Sequence, residues 1–277
     1  MFFKQVKEEI LASPLYLFSV LFLLILAILS ITAPLLPLDP NSTNVSQMNQ
    51  EPSLAHLFGT DNVGRDYFAR VLYGGRISLL VGVLSMLASV LIGSIIGIVA
   101  GYFGGVLDTI LMRLVDVLSS IPWLVLVIVL SVFLKPGLIA IIIVIGGFSW
   151  MRIARLIRAE TLSAKTHDYV SYARFIGVKP STIIRRHIFP SILPTLIVAA
   201  SGSVSSAIMT ESALSFLGIG IQQPLASWGS LLQNAQSTLQ SLPHMAVLPG
   251  VFILLTIYSF NNIGDLVRDS LQKETEG

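Results

Sequence analysis

The sequence predicts an all-α membrane protein whose chain crosses the bilayer six times. Three observations carry that expectation: 54% of the residues are hydrophobic against 12% charged, six apolar runs stand apart along the chain, and the basic residues gather on particular connections. A soluble domain carries about 25% charged residues. Half that density leaves too little polar surface to face water on all sides, and a bilayer is the solvent that permits it. A net charge of +2 provides no basic footprint for nucleic acid. The absence of cysteine excludes disulfides, thiolate metal sites and a cysteine nucleophile.

In chain order the apolar runs are Leu15 to Leu36, Ile77 to Val99, Val117 to Leu134, Leu138 to Trp150, Ile192 to Ala213 and Met245 to Ile263. A crossing helix needs about 20 residues. The first run is longer than the core of a cleaved leader and Pro34 follows its only small-residue site, so it is expected to stay as an anchor. The third and fourth are separated only by Lys135-Pro136-Gly137, which reads as a tight turn. The fourth is short, and Met151, Ile153, Ala154 and Leu156 can extend it. With both chain ends in the cytoplasm, thirteen of the seventeen Lys and Arg residues lie inside, eight of them between Arg152 and Pro190. The positive-inside rule therefore predicts cytoplasmic termini and a cytoplasmic fourth connection.

None of the six lysines follows a glycine, so the chain has no phosphate-binding P-loop. The HExxH and GxSxG patterns are absent as well, so no covalent chemistry is expected of this chain. Acids and bases are scarce inside the spans: Glu211 stands out, while Asp108, Arg113 and Asp116 fall in the second connection. A proton-coupled carrier needs a relay of such groups. Uphill transport by this chain would draw its energy from another polypeptide.

The connection from Arg152 to Pro190 holds a short helix signal. Asp168 can cap it, because a carboxylate accepts from free first-turn amides. Tyr169, Tyr172, Ala173 and Ile176 then fall at helical spacing on one face, with Arg174 between them. Gly177 stands where a helix end takes a left-handed residue. The pattern alone leaves two readings open: the stripe packs on the chain's own core, or it enters a groove on a partner.

Tyr169-Val-Ser-Tyr-Ala-Arg-Phe-Ile-Gly177, followed by Arg186-His-Ile-Phe-Pro190, resembles the EAA loop of ABC importer permeases. Ser171 and Tyr172 replace the usual Glu and first Ala, whereas Ala173, Gly177 and Pro190 keep their places. His56-Leu-Phe-Gly-Thr-Asp-Asn-Val-Gly-Arg-Asp66, continuing through Gly75 to Leu79, and Glu211-Ser-Ala-Leu-Ser-Phe-Leu-Gly218 with Pro224, Ser227, Trp228 and Gly229, are similar to segments of the dipeptide, oligopeptide and nickel group. Within that group the chain looks like the second, shorter permease subunit. The resemblance implies a type I ABC importer permease fold in the cell (plasma or inner) membrane. Residues 1–76 would form the tail, first span and external loop. Residues 77–264 would be the core permease domain with its coupling loop at 152–190, and residues 265–277 a cytoplasmic tail. It further implies a second permease subunit and two cytoplasmic ATPase subunits, which bind the ATP and magnesium, so this chain needs no cofactor. An external solute-binding protein would deliver peptides, or in some relatives nickel chelates and other small solutes. The short helix from Asp168 would insert into the ATPase. A stand-alone secondary carrier also explains six spans, but neither the long basic loop nor the scarcity of intramembrane charge.

Glu211 lies 19 residues after Ile192, about one bilayer thickness along a helix. Two readings stand: an acid at the outer mouth of the pathway, able to meet a peptide amino group, or a structural acid held by serines. Gly93, Gly97 and Gly101 form a small-residue row suited to close helix packing. Trp228, Leu231, Leu232, Ala235, Leu239 and Leu242 share a helical face, which predicts an amphipathic helix with two readings: it lies on membrane lipid at the outer surface, or it helps dock a solute-binding protein. The four histidines are far apart, so no metal site is expected.

Overall fold

A computed structural model describes residues 2–135 and 137–276; the side chains at 2–4, 124, 131, 132 and 272–276 fall outside that description. The chain is helical nearly throughout. Helix α1 (Phe2–Ala12) leads into α2 (Pro14–Thr32), where Pro14 takes a first-turn position that needs no donor. An irregular segment follows. Asp66 caps the next helix by accepting from the Ala69 amide at 2.9 Å, and α3 (Tyr67–Phe103) then runs about 55 Å, well beyond the bilayer core. It passes position 76/77 unbroken, so the expected domain boundary falls inside a helix.

The third expected span is not one helix. It is divided into α4 (Gly105–Ser119) and α5 (Trp123–Phe133). Pro122 has no amide to donate and pushes Ile121 out of the helical region, so the ladder stops there. The eleven residues of α5 reach only about 16 Å. Among the described residues five helices, not six, are long and apolar enough to cross a membrane: Pro14–Leu35, Tyr67–Phe103, Leu138–Lys165, Pro180–Phe216 and His244–Leu271. Pro136 of the expected turn lies outside the described residues.

Helix α6 (Leu138–Lys165) continues fifteen residues past Trp150, so the first part of the expected 152–190 loop is helix. After α7 (Asp168–Phe175) and the single turn α8 (Pro180–Ile183), residues Ile184–Ile188 are π-helical. They lead straight into α9 (Phe189–Phe216), whose second residue, Pro190, lacks a donor. Helix α10 (Trp228–Ala235) and α11 (His244–Glu276) complete the chain, and α11 carries the last span past residue 264 without a break.

Small residues set the closest packing. Along α3, a Cβ on Gly93, Gly97 or Gly101 would come within 2.9 Å of the carbonyl oxygens of Trp150, Ala154 and Arg158 respectively. The four-residue row thus lays α3 directly on the α6 backbone, within this chain. Tyr16 donates to Asp269 at 2.7 Å and Asn262 to Ser19 at 2.9 Å, so the two chain ends meet at one end of the bundle. The α7 turn lies at that same end, where Ile98, Tyr102, Ile157, Val170, Ile183 and Ile192 make one apolar cluster. Tyr67, Val71, Trp228, Leu231 and Met245 cluster at the other.

Candidate functional site

Helix α7 is held by its inner side. Val170 and Ala173 are buried against Ile157, Ile183 and Ile188. Its end is a Schellman turn: the Val178 amide donates to Ala173 at 3.0 Å and the Gly177 amide to Arg174 at 3.1 Å, with Gly177 at φ +80°. Val178 then packs on the same cluster as Ala173. Nothing stands within 4 Å of a Cβ built on Gly177, so its backbone angle, not crowding, favours glycine there.

Two details differ from the sequence expectation. His167, not Asp168, precedes the first turn, and no side chain caps it. Asp168 is the first helical residue, where its charge still suits the positive end of the helix. Ala173 does not share a face with the tyrosines; it points inward with Val170. The outward stripe is Tyr169, Tyr172, Phe175 and Ile176, with Tyr172 66% and Phe175 89% exposed. Phe175 follows Tyr172 by three residues, a spacing that was available in the sequence. Arg174 is exposed beside them. Tyr169 lies between the rings of His167 and His187, at centroid distances of 5.4 and 5.7 Å.

Glu211 is fully buried where α3, α9 and α10 meet. Ser78 donates to its carboxylate at 3.0 Å and Ser215 at 2.6 Å. Each hydroxyl is satisfied in turn: Ser78 accepts from the Trp228 amide at 3.2 Å and Ser215 from the Ile221 amide at 3.0 Å. In this chain the acid is enclosed by hydroxyls and tied to the segment that starts α10.

Helix α10 does not rest on the membrane surface. Its apolar face is buried in the bundle: Trp228 stacks on Phe252 at 5.7 Å and donates its indole N–H to the Val71 carbonyl at 3.0 Å. Leu239, beyond the helix end, is the exposed member of the expected stripe.

Two ion pairs join α4 to α6, both missed by reading these charges as loop residues. Arg158 grips Asp108 through two nitrogens at 2.5 and 2.6 Å, which holds the Asp108 carboxyl below the usual carboxylate range. Arg155 reaches Asp116 at 3.0 Å. Beside them a cavity of about 630 Å³ opens between the α4–α5 break, α6 and α9. Among the described residues, no three His, Asp or Glu side chains are placed to hold a metal ion.

Residues 93–276 match the family described as binding-protein-dependent transport system inner membrane component. The chain belongs to this family. It is 42% identical to the oligopeptide transport system permease protein OppC of Escherichia coli strain K12 over 83% of this chain and 77% of that one. It is 42% identical to the dipeptide transport system permease protein DppC of Bacillus subtilis strain 168, over 82% and 72%. It is 37% identical to the glutathione transport system permease protein GsiD of Escherichia coli O6:K15:H31, over 100% and 90%. A chain of the MetNI methionine ABC transporter in an inward-facing conformation shares the fold, with a TM-score of 0.61 at 20% identity over 73% of this chain and 97% of that chain. The chain is thus an inner-membrane transport component with the permease fold of ABC importers.

Proposed function

We propose that the chain is a permease subunit of an ATP-driven importer of short peptides. It lines the pathway together with a second permease. Two ATPase subunits hold the ATP and magnesium and drive it from the cytoplasm, and an external binding protein supplies the solute. The observation that carries the reading is the uncovered stripe on α7. Tyr169, Tyr172, Phe175 and Ile176 project from a helix already anchored on its other side by Val170 and Ala173. An apolar stripe of this kind, outside the spans, marks a protein contact. The relatives named for oligopeptides, dipeptides and glutathione support peptides as the solute class.

The basic-residue count supports cytoplasmic termini and a cytoplasmic α7. In a chain otherwise free of cysteine, Lys165→Cys should resist an impermeant thiol reagent applied to intact cells; ready labelling would reverse the topology. The importer reading is tested by reconstituting the chain with the second permease, the ATPases and the binding protein. Uptake of a short peptide that requires ATP supports it. ATP-independent uptake by this chain alone would establish a stand-alone carrier instead.

A further inference from the structure

The cavity beside the α4–α5 break has a polar wall that the lipid-facing sides of the molecule lack. Its lining includes Ser119, Ser120, Ser203, Ser206 and Thr210, together with Arg152 and Arg155 of α6. At comparable positions the exposed sides of α2 and α3 present Leu24, Ile28, Leu87 and Leu91. The hydroxyls of Ser120, Ser203 and Thr210 already donate to the carbonyls of Val117, Ala199 and Ser206, and that of Ser119 meets the Met151 sulfur; the Arg152 guanidinium and the Ser206 hydroxyl have no such partner among the described residues, and hydrocarbon cannot satisfy them. At about 630 Å³ the space is in the range of small-ligand sites and large enough for a short peptide.

Three arginines follow one another along α6, and their partners distinguish them. Arg155 is bonded to Asp116, and Arg158 to Asp108 through two nitrogens. Arg152 lines the cavity and has no acidic partner among the described residues. The Ser206 hydroxyl, exposed on the α9 wall, makes no hydrogen bond among the described residues either, although the Ser206 carbonyl accepts from Thr210 at 2.8 Å. A guanidinium stays charged at every physiological pH, and its planar fork matches a carboxylate.

We propose that Arg152 receives a carboxylate of the passing solute, for a peptide its C-terminal carboxylate, while the Ser206 hydroxyl of α9, which lines the same cavity, takes part in holding it. This inference rests on the reading of the chain as a peptide importer and assigns a site within that pathway. Arg155 and Arg158, already neutralised, clamp α4 to α6 and leave Arg152 as the charge on offer.

The test uses the assembled complex with Ser206→Cys in this chain, purified without the binding protein. Alkylation by a water-soluble maleimide is read by mass spectrometry at residue 206. Trialanine should protect the thiol, and trialanine amide should protect it with an apparent affinity at least about tenfold weaker, as expected for loss of a hydrogen bond to a charged group. Adding Arg152→Gln should abolish the difference between acid and amide. Adding Arg152→Lys should keep part of it, since lysine retains the charge without the fork. Equal protection by acid and amide, no protection by either, or an undiminished difference in the Gln variant would overturn the proposal. Trialanine uptake by the complex with unaltered Ser206 and Arg152 is measured in parallel. Its absence sinks the importer reading, while the protection data still decide the carboxylate site.

Discussion

Helices α7 and α10 each have eight residues, and each reads in the sequence as a short amphipathic helix at a surface. The structure treats them in opposite ways. In α10 the apolar face is consumed by the fold: Trp228, Leu231 and Ala235 are buried among α3, α9 and α11. In α7 only Val170 and Ala173 are used so, and the larger apolar side chains remain uncovered. An amphipathic pattern reports that an apolar face exists, not what covers it. A partner belongs on the helix whose anchoring needs are already met by its small inner residues.

The comparison breaks most sharply at Trp228. Trp228→Ala should lower stability by about 3–5 kcal/mol, read by thermal unfolding of the purified chain in detergent. A helix merely resting on lipid would lose far less, so a change within about 0.5 kcal/mol would return α10 to the membrane surface. Next comes Glu211, whose serine cage ties α10 to α9. Glu211→Gln replaces an acceptor of two hydroxyl bonds by an amide and should cost about 1–3 kcal/mol. If the acid instead meets a peptide amino group, stability should stay unchanged while uptake of free-amine peptides falls selectively. Gly177→Val should cost less, about 1–2 kcal/mol, because a β-branched residue resists φ +80°. The strain sits in the α7 turn, which packs through Val170, Ala173 and Val178 on the ends of α3, α6 and α9, so melting should shift by that amount at most, while ATPase subunits dissociate from the complex.

How much of this was legible follows from which interactions are local. Gly177 is legible because a helix end and its left-handed residue are adjacent in sequence. The Gly93, Gly97 and Gly101 row announces a close approach by its spacing, but not that α6 is the partner. Hydropathy averaged across Pro122 and merged two helices into one span, although the proline itself was in view. Ser215, one turn from Glu211, could be guessed as its partner. Ser78 could not, since it comes from a helix 133 residues away. A separation of 157 residues likewise hides the indole bond from Trp228 to Val71, and with it the burial of α10. Asp108 and Asp116 read as loop charges in the sequence, because only the continuation of α6 past Trp150 brings Arg158 and Arg155 to them. In α7 one member of the expected stripe differs, Phe175 standing in place of Ala173, because Ala173 lies four residues after Tyr169 and three after Val170 and fits either face.

On the proposed function the outward side of α7 binds the ATPase, and its most exposed members, Tyr172 and Phe175, add little to the fold. Tyr172 is well exposed, so Tyr172→Asp should change thermal stability by no more than about 0.5 kcal/mol. The same charge, placed in an apolar contact, would be unpaired there and should break it. The measurement is ATPase retained on the purified membrane complex, alongside peptide uptake. The expected result is a normally inserted, normally stable chain that loses its ATPase and its uptake together. A variant that keeps both at the level of the unmodified complex would contradict it.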